Sequence, residues 1–88
     1  MSHAADAISR VAEDLESIDL DKVLEDLRNE GVFVYLEFYN VAKRTPREKI
    51  LFLQEHMALK GDSAFPTLLE ILRKRGYEQL VSKLSQGR

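Results

Sequence analysis

The sequence predicts a single all-α domain, folded as an antiparallel bundle of six helices. Apolar residues recur at intervals of three and four through most of the 88-residue chain, which is the period of an amphipathic helix. Glycine and capping residues interrupt this pattern, so that every connection is short, as in a compact bundle. Hydrophobic residues make up 44% of the chain and charged residues 32%, which favours a folded, strongly charged helical protein over a disordered one.

The first two predicted helices occupy residues 4–17 and about 20–30. Asp19, between them, is suited to cap the second helix through its carboxylate, and Gly31 ends that helix. Both segments carry apolar residues at helical spacing. The stripes are Ile8, Val11, Ala12, Leu15 and Ile18 in the first, and Leu20, Val23, Leu24 and Leu27 in the second.

The third predicted helix, residues 32–42, is short and apolar on nearly all sides. Its valines and aromatic residues would equally suit a β-strand on local propensity alone. A lone strand among five helices would have no pairing partner, so a helix is the better prediction. The segment holds more apolar residues than one buried face can take, and the excess comprises Val34, Tyr35, Leu36 and Tyr39.

The fourth predicted helix has the clearest start signal and runs to Lys60. Thr45 and Glu48 form a capping box around Pro46, which stands at the first helical position, where its missing N–H costs nothing.

Two short helices complete the predicted bundle. Gly61 lets the chain leave the fourth helix with a positive φ, and Asp62 or Ser63 can cap the fifth. Pro66 falls in the first turn of the fifth helix, where proline is tolerated, and Gly76 ends that helix. The predicted core residues here are Phe65, Leu69, Leu72, Leu80 and Leu84.

The spacing of Gly61, Ala64-Phe65, Gly76 and Leu80 resembles the C-terminal half of the caspase recruitment domain (CARD), a module of the death-fold superfamily. The resemblance extends over about residues 8–84. It implies a six-helix antiparallel bundle of Greek-key topology, in one domain spanning residues 1–88. It also implies a module without catalytic residues, which binds copies of itself or related domains.

The fourth helix departs from the family's pattern. Leu51 and Phe52 stand where CARDs often have basic or polar residues, while Gln54 and His56 stand where they often have apolar ones. These departures predict either a slightly rotated helix or a more apolar partner surface. The chain has no tryptophan and no Arg-x-Asp-Leu motif near the sixth helix, so the sister death-fold modules are poorer matches.

Charge is unevenly distributed along the chain. Residues 1–40 carry ten acidic and three basic residues, a net charge of −7, whereas residues 41–88 carry five and ten, a net charge of +5. If the fold keeps these halves apart, the acidic face of one molecule can meet the basic face of another. Arg47 and Lys49 lie in the first turns of a helix, where acidic residues are preferred, which suggests that they serve another purpose.

In CARDs, a basic surface of the first and fourth helices docks on an acidic surface of the second and third helices of another copy. Carried onto this sequence, the resemblance implies a basic face formed by Arg10, Lys43, Arg44, Arg47 and Lys49. The acidic face comprises Asp21, Glu25, Asp26, Glu30 and Glu37. An apolar rim would come from Tyr35, Leu36 and Phe52.

The sequence carries no catalytic or metal-binding pattern. It has no cysteine, and neither His3 nor His56 has a second histidine one helical turn away, which favours ordinary surface or boundary residues over zinc ligands. The serines lack a neighbouring histidine or a strand–turn–helix elbow. We therefore expect no enzyme activity, metal, cofactor or small-molecule substrate. Because no signal peptide and no long apolar run is present, we expect a cytoplasmic location and no membrane partner.

The leading interpretation is a homotypic recruitment module. It would assemble CARD-containing caspases, adaptors or sensors in apoptosis or innate immunity, with self-oligomers or filaments as products. A decoy CARD that caps such assemblies is the first alternative. A small helical nucleic-acid-binding domain is the second, and it is disfavoured because the acidic half would repel a polyanion.

Overall fold

The computed structural model describes residues 3–60 and 64–86, and within them every regular element is a helix. The all-α prediction is therefore confirmed for this part of the chain. The helices are α1 (His3–Arg10), α2 (Ala12–Glu16), α3 (Leu20–Asn29), α4 (Tyr35–Ala42), α5 (Pro46–Lys60), α6 (Phe65–Lys74) and α7 (Glu78–Ser85).

The first predicted helix is divided into α1 and α2 at Val11. The N–H of Val11 donates to the carbonyl of Ile8 at 3.2 Å, three residues back instead of four, so the regular helical pattern is interrupted there. No glycine or proline marks this position. Both short helices pack against α5, and the hydrophobic periodicity of the sequence gives no sign of the break.

The predicted caps of α3 and α5 are confirmed. The carboxylate of Asp19 accepts a hydrogen bond from the backbone N–H of Lys22 at 3.3 Å. At the start of α5, the hydroxyl of Thr45 accepts from the N–H of Glu48 at 3.2 Å, while the Glu48 carboxylate accepts from the N–H of Thr45 at 3.1 Å. These reciprocal bonds satisfy backbone donors that have no partner within the helix.

Glycine ends α3 and α6 in the same way. Gly31 and Gly76 have φ values of 81° and 90°, in the left-handed region that other residues avoid. After each glycine, the next N–H returns to a carbonyl five residues earlier: Val32 to Leu27 at 3.0 Å, and Tyr77 to Leu72 at 2.9 Å. This is the Schellman arrangement, so both predicted helix ends are confirmed.

The third predicted helix begins later than expected. Val32 is held in the end of α3 by its bond to Leu27, Val32 and Phe33 are buried ahead of the helix, and Val34 is extended. Helical structure therefore starts at residue 35, where the chain is free of the preceding turn. The choice of a helix over a strand is nevertheless confirmed.

The predicted turn before α6 lies partly outside the described residues, because Gly61, Asp62 and Ser63 are not among them. Ala64 directly precedes α6 and provides no side-chain cap, and Pro66 lies in the first turn, as predicted.

The core receives side chains from every helix. The helix α5 packs against α1, α2 and α4, while α3 packs against α4 and α6. The largest fully buried side chains include Ile8, Leu15, Leu24, Leu27, Leu53, Met57, Leu68, Leu72 and Leu84. Of the core residues predicted for α6 and α7, Phe65, Leu72, Leu80 and Leu84 are buried and Leu69 is partly buried. No helix among the described residues is both long and apolar enough to cross a membrane.

Candidate protein-interaction surface

The acidic and basic halves of the sequence pair with each other inside the molecule. Five side-chain contacts join an acid from residues 1–40 to a cationic group or histidine from residues 41–88 within the described part of the chain. They are Asp14–Lys83 at 2.8 Å, Glu16–Arg47 at 3.6 Å, Asp21–Lys49, Asp26–Arg75 at 2.6 Å and Glu37–His56 at 3.0 Å. The two halves therefore do not form wholly separate acidic and basic faces.

Lys49 and Asp21 come from the two opposed sets of predicted site residues, yet they contact each other. The Lys49 side chain is only 10% exposed, whereas that of Asp21 is 65% exposed. The amine thus lies at the junction between the first turn of α5 and the first turn of α3. Burying an ammonium group is costly without a charged partner, so Lys49 is engaged within the fold.

Asp26 and Arg75 form a two-pronged contact between α3 and the end of α6. The guanidinium donates from Nε at 2.6 Å and from Nη2 at 3.0 Å, one bond to each carboxylate oxygen. These hydrogen bonds hold the pKa of Asp26 below its ordinary value. Much of the charge of Asp26 is therefore neutralised within the molecule.

The remaining charged site residues other than Glu37 are exposed. Arg47 stays largely in solvent beside Glu16, and Arg44 approaches Glu48 at 3.9 Å. Lys43 contacts the ring and the hydroxyl of Tyr39. Within the described residues no carboxylate–cation pair involves Arg10, Glu25, Glu30 or Lys43, and all four side chains are exposed.

A groove of about 470 Å³ between α4 and α5 gathers residues from all three predicted sets. It contains Glu37 of the acidic set, Arg44 of the basic set and Phe52 of the apolar rim. The other lining residues are Asn40, Val41, Glu48, Leu51 and Glu55. The sequence predicted separate surfaces for Glu37, Arg44 and Phe52, but the packing of α4 beside α5 brings these three side chains together.

His56 is the residue whose environment the sequence did not predict. It is buried, its Nε2 donates to Glu37 at 3.0 Å, and its Nδ1 lies 3.3 Å from the carbonyl oxygen of Phe52. The ring also lies tilted against that of Phe52, with 4.0 Å between centroids, and meets Phe33 edge-on at 5.5 Å. Both ring nitrogens therefore face oxygen atoms of the protein.

Glu37 connects His56 to the start of α4. One carboxylate oxygen contacts the histidine, and the other accepts a hydrogen bond from the backbone N–H of Val34 at 2.9 Å. These contacts, led by the one from His56, hold the pKa of Glu37 below its ordinary value. The two residues lie 19 positions apart, and no local pattern signals their contact.

The exposed large apolar side chains of the described residues all belong to α4, its N-cap or α5. They are Val34, Leu36, Tyr39, Leu51 and Leu59. Leu36, expected in the apolar rim, is 69% exposed, and Leu51 is 53% exposed. The side chain of Tyr35, the third expected rim residue, is not among those described. The sequence signal was the excess of apolar residues in the third predicted helix.

These features define a small helical bundle in which α4 and α5 carry both exposed apolar and exposed charged side chains. The described residues include no cluster of histidine, cysteine, aspartate or glutamate that could hold a metal ion. No protein-family model, curated protein or solved structure matches the chain.

Proposed function

We propose that this protein is a homotypic interaction module of the CARD type, which assembles or recruits signalling partners in apoptosis or innate immunity. The observation that carries the proposal is the concentration of exposed apolar side chains on α4 and α5, beside charged residues of both signs. Apolar surface left in solvent at one place is typical of a protein-binding site. The partners would be CARD-containing caspases, adaptors or sensors, and the setting is the cytoplasm.

The helix order supports this proposal. If α1 and α2 are taken as the two halves of one bent helix, the described elements follow the six predicted segments in sequence. The glycine-terminated end of α6, at Gly76, falls at one of the turns on which the CARD resemblance rests. A six-helix antiparallel death fold of Greek-key topology is accordingly the proposed architecture.

The charge pairs within the molecule reduce the number of charged residues that the proposed interface can use. Arg10 and Arg47 remain on the basic side, and Glu25 and Glu30 remain on the acidic side, all of them exposed. An exposed ion pair contributes only about 0.2–1 kcal/mol, so several pairs and the neighbouring apolar residues must act together. A contact between two different surfaces does not close on itself and can extend into a filament.

Charge reversal tests the proposal. Arg47→Glu and Glu25→Arg should each weaken self-association, measured by sedimentation velocity, and mixing the two variants should restore it because each keeps one intact surface. Lys74→Glu and Glu78→Arg change exposed charges of the same sign elsewhere and serve as matched controls. The interface assignment is wrong if neither reversal alters association and added salt has no effect.

A decoy function is the second candidate, favoured by the state of the basic side. Lys49 is engaged with Asp21, and the exposed Leu51 occupies a position that is often basic in CARDs. A module with one depleted surface would cap a filament. Light-scattering assays with a filament-forming CARD would separate the two functions, because a recruiter nucleates filaments and a decoy shortens them.

A further inference from the structure

The outer face of α4 carries a ridge of three side chains, Leu36, Tyr39 and Lys43. Leu36, Tyr39 and Lys43 are spaced three and four residues apart, so they share one side of the helix, and all three are exposed. The amine of Lys43 donates a hydrogen bond to the Tyr39 hydroxyl at 3.0 Å. This contact holds the amine beside Tyr39 without neutralising its charge. This face therefore presents two apolar side chains and one cation.

The groove between α4 and α5 is also partly apolar, but its charged residues are mostly acidic. Its apolar part consists of Val41, Leu51 and Phe52. Three carboxylates and one guanidinium line it, those of Glu37, Glu48, Glu55 and Arg44, so the local charge is negative.

Glu55 is the carboxylate in this groove that remains available to a partner. Glu37 is engaged by His56 and by the backbone of Val34, while Glu48 closes the capping box with Thr45. Glu55 is exposed, and within the described residues it has no cationic partner. It lies one helical turn after Leu51, so an apolar contact and a negative charge are offered side by side.

We propose that the groove between α4 and α5 binds the ridge of Leu36, Tyr39 and Lys43 on a second copy of this chain. The apolar side chains of the ridge would pack on Leu51 and Phe52, and Lys43 would pair with Glu55 of the other copy. Packing of side-chain ridges into grooves is also how helices ordinarily contact one another. The inference rests on the proposed homotypic function, but it uses residues other than Arg47 and Glu25.

A charge swap tests the contact in solution. Lys43→Glu and Glu55→Lys should each weaken self-association about fivefold, because each replaces an attraction by a repulsion. The double variant carrying both substitutions should regain wild-type association, since the charges are only exchanged. Lys74→Glu and Glu78→Lys are the matched controls and should leave association unchanged. If the double variant associates no better than the two single variants, the proposed pairing is overturned.

The apolar part of the contact is tested separately. Leu36→Ala should weaken association about fivefold or more, as expected for a buried interface anchor. Leu59→Ala, which removes an equally large exposed side chain outside the ridge and groove, should have no effect. Thermal melts followed by circular dichroism should show that both variants fold, because both residues are exposed. Equal effects of the two substitutions would contradict the inference.

Cross-linking provides a readout that does not depend on affinity. The chain contains no cysteine, so Leu36→Cys and Leu51→Cys variants can be mixed and oxidised without background. A disulfide between the Leu36→Cys and Leu51→Cys variants should form faster than one between the Leu36→Cys and Leu59→Cys variants. Equal rates of formation would refute the contact. If this cross-link forms while Arg47→Glu and Glu25→Arg leave association unchanged, the charged-face interface fails and the groove contact stands.

Discussion

Lys49 should stabilise the fold, although its sequence position suggests a partner-binding role. An exposed ion pair contributes about 0–1 kcal/mol, whereas breaking a fully buried pair costs about 3–5 kcal/mol. With Lys49 nearly buried and Asp21 mostly exposed, the pair lies between these limits. Asp21→Asn should therefore lower the free energy of unfolding by about 1–2 kcal/mol, and the melting temperature by about 4–16 °C for a domain of this size.

A double-mutant cycle isolates the pair. Lys49→Met keeps most of the apolar contact of the side chain and removes the buried charge, so it should cost less than Asp21→Asn. The double variant should be about as stable as Lys49→Met alone, because without the ammonium group the carboxylate has no charge to compensate. Urea unfolding followed by far-ultraviolet circular dichroism measures all four proteins, with the exposed Glu25→Gln as control.

Two results would refute this reasoning. One is an Asp21→Asn variant within about 0.3 kcal/mol of wild type, and the other is a double variant whose loss equals the sum of the single losses. Either would mean that the Lys49 amine does not depend on Asp21. If a stable Lys49→Met variant then lost partner binding, Lys49 would be assigned to the interface. The two roles of Lys49 must be separated before its charge is reversed in a binding assay, because an unfolded variant would also fail to bind.

Three further predictions concern pH, a helix end and the core. Because the pKa values of Asp26 and Glu37 are depressed in the folded state, their contribution to stability should be present at neutral pH and be lost as pH falls below about 4. Urea unfolding midpoints measured across this pH range should fall less steeply for Asp26→Asn and Glu37→Gln than for wild type, and an unchanged pH dependence in both variants would contradict the prediction. Gly76→Ala should cost about 1–2 kcal/mol from backbone strain alone, because no atom lies within 4 Å of the added Cβ; a neutral effect in thermal melts would show that the turn relaxes. Leu53→Ala should cost about 3–5 kcal/mol because its side chain is fully buried, whereas Leu59→Ala should change stability by less than about 0.5 kcal/mol, and similar melting temperatures for the two variants would refute the packing.

Features encoded within one helical turn were predictable. The caps at Asp19 and Thr45 and the ends at Gly31 and Gly76 depend on hydrogen bonds that span only a few residues. The start of α4 was predicted too early, because the bond from Val32 back to α3 competes with helix formation and leaves no mark in the hydrophobic pattern.

The site was only partly predictable. An excess of apolar residues in the third predicted helix correctly indicated that Leu36 would be exposed. The burial of His56 and its contact with Glu37 were missed, because they depend on how α4 lies beside α5. The separation of charge along the chain suggested two opposed faces, but it carried no information about which charges would meet inside the molecule.

The sequence by itself determined the helical class, most helix ends and the apolar stripes that form the core, because these depend on local periodicity and local hydrogen bonds. The tertiary structure alone decided which charges remain for a partner. The pairs Asp21–Lys49 and Asp14–Lys83 join residues 28 and 69 positions apart, and such contacts follow from the packing of whole helices. The same packing placed Glu37, Arg44 and Phe52 in a single groove, where sequence reasoning had assigned them to three separate sets.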